Sequence, residues 1–179
     1  MTNIEELKYP VGKFIRKENY SIDEILEMIK YIESFHGRIK SEVENLSDEQ
    51  LDTPYRPDGW TVRQVVHHCA DSHMNAFIRF KLAMTEDAPT IKPYIEDRWA
   101  KMPDTISTPI DASLMILDGL HKRWSILLKA MSAIDFERTY LHPQYERVFV
   151  LKEVLALYTW HCTHHLAHIT SLKKRMNWI

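Results

Sequence analysis

The chain has 179 residues, 45% of them hydrophobic, enough apolar material for one sizeable core in a single domain spanning 1–179. Its 23 basic and 25 acidic residues leave a formal charge of -2, which excludes the basic footprint that nucleic acid or an anionic membrane demands. Two cysteines are too few for a secreted disulfide scaffold, no apolar run approaches the ~18 residues of a membrane span, and the acidic start Met1-Thr2-Asn3-Ile4-Glu5-Glu6 does not read as a signal peptide; the expected setting is cytoplasmic.

Residues 1–20 read as irregular, with Tyr9-Pro10-Val11-Gly12 breaking any early helix. Ser21, with Glu24 three residues on, forms a capping box that opens a first helix. Ile22, Ile25, Leu26, Ile29, Ile32, Ile39, Val43 and Leu46 recur at helical spacing and carry it to about Asn45. Ser47 to Leu51 is expected as a short capped turn. After the loop Thr53–Gly59, Trp60-Thr61 opens a second helix, capped by Thr61 or Gly59, whose inward stripe includes Val62, Val65, Val66, Cys69, His73, Ala76 and Phe80.

A connection from about Glu86 to Thr108 carries three prolines and is expected to hold one helical turn near Tyr94–Ala100. Its length inside a compact domain marks it as a packed, functional crossing loop. A third helix is expected from about Pro109 to Ala133, with Pro109 in its first turn. Thr139 to Val150 forms a second link or a short hairpin, and a fourth helix follows from about Leu151 to Arg175. Four long helices with few glycines predict an all-α four-helix bundle, a fold that holds metals between facing helices.

The fourth helix contains Trp160-His161-Cys162-Thr163-His164-His165-Leu166-Ala167-His168. His161/His165 and His164/His168 are each one turn apart, a spacing that lets two imidazoles reach one divalent ion. His161 and His165 continue the apolar stripe Leu151, Val154, Leu155, Tyr158, Ile169 and Leu172, whereas His164 and His168 fall on a face expected to become polar. The second helix offers a third nitrogen from His73, His68 or His67. By periodicity His73 lies nearest the middle of the stripe, with the other two on its flanks. Asp71 either orients a ligand or belongs to a polar face. His36, His121 and His142 stand isolated, as structural or solvated residues, and Cys69 and Cys162 read as small apolar packing residues.

With these motifs assembled, the chain resembles the DinB/YfiT-like superfamily, closest to the YfiT-type metal-dependent hydrolases of bacilli. The resemblance rests on Gly59-Trp60-Thr61-Val62-Arg63-Gln64-Val65-Val66-His67-His68-Cys69-Ala70-Asp71, which is similar to the family's Trp-to-His signature, and on the C-terminal H-x-x-x-H. It implies a four-helix bundle holding one divalent ion per chain, zinc or nickel, between helices 2 and 4 through His68, His161 and His165. His73 then moves to a supporting or pocket-wall position.

The implied activity is hydrolysis of a small-molecule substrate by water activated on that ion. The resemblance also leaves open a bacillithiol-type S-transferase, in which the ion holds a low-molecular-weight thiol as thiolate, and a non-catalytic metal-binding stress protein. In the thiol case Arg56, Arg63, Arg79 and Lys81 are candidates for the thiol's acidic groups, and Asn75, Tyr158 and Trp160 for the pocket wall. The family further implies a homodimer, to which Tyr9, Phe14 and Tyr20 could contribute.

Overall fold

The computed structural model describes residues 3–178. Four long helices dominate: α2 (Ile22–Val43), α4 (Val62–Thr85), α7 (Asp111–Ala130) and α8 (Leu151–Met176). Between them lie α1 (Ile4–Lys8), α3 (Asp48–Leu51), α5 (Glu96–Trp99), α6 (Pro103–Ser107) and a hairpin of β1 (Thr139–His142) and β2 (Arg147–Val150). Helix α2 packs on α7 and α8, and so does α4, so the two N-terminal long helices sit diagonally across a four-helix bundle. The core between them is filled by Ile32, Phe35 and Ile39 of α2, Val65 and Phe80 of α4, Leu117 and Trp124 of α7, and Leu155 and Ile169 of α8.

Local chemistry sets the boundaries. Ser21 caps α2 through a complete capping box with Glu24, and Ser47 does the same for α3 with Gln50. At α4 the cap is Thr61: its Oγ1 accepts from Gln64 N, while Gln64 Oε1 accepts from Thr61 N. Gly59 cannot carry a side chain there, because a Cβ would stand 2.7 Å from Arg56 Cγ and 3.1 Å from Arg56 O. That tight turn delivers Trp60 and the start of α4 to the position from which its histidines project.

Three expectations need correction. The N-terminal segment is not wholly irregular, since α1 forms before the Pro10 break, capped by Asn3 and closed by a Lys8–Glu5 pair at 3.0 Å. Helix α7 starts after Pro109 rather than on it. It also stops at Ala130, where Ser132 N and Oγ turn to the Asp135 carboxylate instead of continuing the ladder. The crossing loop carries α6 as well as the expected turn, with Pro103 at its first position. The loop is tied to the hairpin through Ile91 N to Leu141 O and Leu141 N to Pro89 O, which fixes one wall above the bundle.

Candidate metal centre

His68 of α4 and His161 and His165 of α8 converge where the two helices face each other. One ring nitrogen from each lies within 4.8 Å of the other two. His68 Nε2 and His161 Nε2 are 3.2 Å apart. Burial first, and neighbouring imidazoles second, hold His68 down to about 4 and the other two well below their ordinary range. The three rings are therefore neutral at pH 7, which is the metal-binding form. Trp60 packs over His68 at 4.7 Å and stacks parallel to His165 at 6.5 Å between ring centroids.

A hydrogen-bonded chain behind the triad determines which nitrogen of His161 is free. His121 Nδ1 lies 2.6 Å from the Ile32 carbonyl, a group that can only accept, so this nitrogen carries the proton. Burial keeps His121 and His73 neutral, with His121 at about 4. His121 Nε2 therefore accepts from His73 Nδ1 at 2.8 Å, and His73 Nε2 accepts from His161 Nδ1 at 3.1 Å. One backbone carbonyl thus fixes three tautomers and leaves His161 Nε2 a bare lone pair facing His68. Ser72 Oγ stands 3.4 Å from that nitrogen and 3.4 Å from the Tyr158 hydroxyl.

Periodicity identified His73 correctly as the most buried of the α4 histidines, fully enclosed against Phe35 and Trp124. That burial keeps it behind the triad, because an open site belongs at the edge of the stripe, where His68 borders the cavity. His67 turns to α7, bonding Ser113 Oγ at 2.7 Å and Thr108 O at 3.0 Å.

His164 and His168 do not lie on a polar face. They are 8% and 3% exposed, because the N-terminal segment folds over α8. His168 Nε2 donates to Lys8 O at 3.1 Å and its ring stacks on Tyr55 at 3.9 Å, while His164 sits against Trp160 and Tyr9. The same strap occupies residues expected at a subunit contact: Phe14 meets Trp160, and Trp160 Nε1 donates to Gly12 O at 3.1 Å. His164, His165 and His168 also bring nitrogens within 4.8 Å of one another, and each has a buried Nδ1 with no partner.

A cavity of about 780 Å³ opens beside the triad. Its wall includes Ser72, Arg79 and Tyr158 from the bundle, Tyr94 from the crossing loop, and Tyr140 and His142 from β1. Arg56 and Trp160 also reach it. Asp71 and Asn75 do not line it. Asn75 Nδ2 donates to Asp71 O on its own helix, and Asp71 is raised to about 6 by burial and by Asp104 without touching a triad histidine. Arg63 is instead paired with Asp48 and Asp52 at 2.7 Å each, and Lys81 lies over the Phe77 ring.

Cys69 and Cys162 are fully buried, and burial raises both thiols far from the thiolate form. His121 was the residue least expected here. Its signal was present in the stripe Leu117, His121, Trp124, Leu128, which aims it at the core. The β1 residues Tyr140 and His142 alternate onto the buried side of the hairpin, a period-two pattern short enough to escape notice.

A sequence profile of the DinB superfamily matches residues 32–169. A Bacillus cereus protein named a "putative metal-dependent hydrolase" is 50% identical over 175 residues, covering 98% of this chain and all of the relative. A Bacillus thuringiensis subsp. konkukian protein of the same description is 49% identical over the same length and shares. Among solved structures, YfiT from Bacillus subtilis, described as "a probable metal-dependent hydrolase with an unusual four-helix bundle topology", superposes with a TM-score of 0.95 at 45% identity. The alignment covers 97% of this chain and 99% of that one.

Proposed function

The chain belongs to the DinB superfamily, and from that membership together with the converging imidazoles we propose that it is a metal-dependent hydrolase whose divalent ion is held by His68, His161 and His165. The observation that carries this reading is the meeting of three neutral ring nitrogens from two helices at the floor of a cavity. The His161 Nε2 lone pair faces His68 Nε2 at 3.2 Å, a place where a divalent ion would take over from the proton that one ring can otherwise share with the other, so the donor set fits a metal. Three nitrogens suit zinc first and nickel second, and leave coordination positions open. The alternative group His164, His165, His168 fits less well: all its donors lie on α8, and two come from adjacent residues, which point about 100° apart on a helix.

When bound, the ion supplies Lewis acidity and lowers the pKa of a coordinated water toward ~7. The rest is done by the chain. The Ile32–His121–His73 relay keeps the His161 lone pair pointed at the site. Trp60 packs over His68 and His165, while the N-terminal strap covers His164 and His168 on the neighbouring face of α8. Ser72 and Tyr158 hold hydroxyl protons beside His161, where a leaving group could collect one.

The test is turnover of small esters, amides and lactams by metal-loaded protein, before and after chelation. Hydrolysis that is lost on chelation and returns with zinc or nickel supports the proposal. Conjugation of an electrophile only when bacillithiol is supplied would replace it with thiol S-transfer. Stoichiometric metal with neither reaction would assign a non-catalytic metal-binding role.

A further inference from the structure

Arg79 lies on α4 eleven residues beyond His68, about three turns on and back on the same face. Long helical side chains lean toward the N-terminus, so its guanidinium extends back toward the triad. The residue is only 8% exposed and lines the cavity. Its Nε is buried without a partner, and among the described residues no carboxylate forms an ion pair with it. The buried carboxylate at the start of α8, Glu153, is already held by Arg147 and by Arg16.

The groups nearest the guanidinium are phenols, Tyr140 among them in hydrogen-bonding reach; Glu96 and Glu153 act on Tyr94 and Tyr140, but neither pairs with Arg79. Tyr94, Tyr140 and Tyr158 all feel its charge, which opposes the upward push of burial on their phenols. His142 is lowered by burial and then by Arg79, and it presents a buried Nδ1 with no partner. A buried guanidinium without a counter-ion is strongly unfavourable, whereas an arriving anion restores both charge balance and hydrogen bonds. The planar fork of Arg matches an oxyanion with two parallel N–H donors. The single guanidinium at this wall matches the one charge and two oxygens of a carboxylate.

We propose that Arg79, with the His142 ring nitrogen on the adjoining wall, is a carboxylate-binding subsite, and that the molecule processed at the metal centre is a small organic carboxylate. The subsite stands on its own geometry; naming its occupant as the substrate rests on the hydrolase reading. Tyr158 connects the two places, since its hydroxyl meets Ser72, which meets His161.

The experiment is calorimetric titration of benzoate, benzamide and inorganic phosphate into the metal-loaded protein, Arg79→Gln, Arg79→Lys, Arg56→Gln and the metal ligand variant His68→Ala. Benzoate should bind the parent protein, and at least about tenfold more weakly to Arg79→Gln, as expected for loss of a charge-assisted pair. Arg79→Lys should recover part of that loss, and Arg56→Gln, which removes a charge elsewhere on the same cavity, should lose less than Arg79→Gln does. Benzamide should bind at least about tenfold more weakly than benzoate, because it carries no charge. His68→Ala should still bind benzoate through Arg79, so failure of the metal reading and failure of the subsite give different results. Equal benzoate affinity in the parent and Arg79→Gln, or no benzoate binding at all, would overturn the proposal. Phosphate binding tighter than benzoate in His68→Ala, where the metal site is broken, would overturn the carboxylate class. An Arg79→Gln chain that does not fold by circular dichroism would show the guanidinium to be structural, and the subsite would be withdrawn.

Discussion

Replacing His121 probes the relay without touching the triad. In His121→Leu the side chain remains bulky and apolar, but His73 Nδ1 loses its partner at 2.8 Å, while the Ile32 carbonyl keeps its bond within α2. An orphaned buried donor costs about 1–3 kcal/mol, so the variant should unfold at a lower temperature. The effect on the metal is separate. With His73 free to change tautomer, His161 Nε2 is no longer held as a lone pair, and loss of such supporting bonds weakens metal affinity ~10–100-fold. Two rings separate His121 from the metal-facing nitrogen, so the lower end applies, about tenfold or roughly 1.4 kcal/mol.

His121→Gln is the control, because its amide can donate to Ile32 O and accept from His73, and should restore most of the affinity. Competition between the protein and a chromophoric chelator for zinc measures both variants, with thermal unfolding alongside. Parent-like zinc affinity in His121→Leu would refute the relay, as would a His121→Gln variant as weak as His121→Leu.

Acid should destabilise the metal-free protein in a defined window. His68, His121 and His164 sit at about 4 when folded, against an ordinary 6.5. The unfolded chain therefore binds more protons between those values, and stability is fully present above about pH 6.5 and drains as pH falls toward 4. A melting temperature that stays flat from about pH 7 to 5 would contradict this. His168→Ala should retain one metal per chain yet lose about 1–2 kcal/mol of stability through the missing Tyr55 stack and Lys8 bond, seen by denaturant titration. Cys69→Ser and Cys162→Ser should both keep the metal by elemental analysis; its loss from either would reveal a thiolate ligand.

The four long helices were legible because their caps and stripes obey local rules: Ser21 with Glu24 and Thr61 with Gln64 form the boxes, and Ile25, Ile29, Ile32 and Ile39 of α2 face inward as their spacing requires, while Ile22 and Leu26 stay exposed. The His161/His165 pair followed from the same stripe on α8. Periodicity alone favoured His73 over His68, since it reports burial rather than the edge where a cavity opens. Only the resemblance pointed to His68.

What escaped depended on distant parts of the chain. His164 and His168 look solvent-facing until α1 and Gly12 fold across them, a contact about 150 residues away in sequence. His121 looked isolated because its partners, Ile32 and His73, come from two other helices. Arg79 was one of four basic candidates; the structure pairs Arg63 with two carboxylates, lays Lys81 over Phe77, and leaves Arg79 Nε buried without a partner.

The central claim is tested most directly by metal content per chain, measured by elemental analysis on the parent protein and on His68→Ala, His161→Ala, His165→Ala and His73→Ala, each checked for helical content. One divalent ion in the parent, its loss from the first three and its retention in His73→Ala is the predicted result. Full metal in His68→Ala, or its loss only from His73→Ala, would show that the three-histidine assignment is wrong.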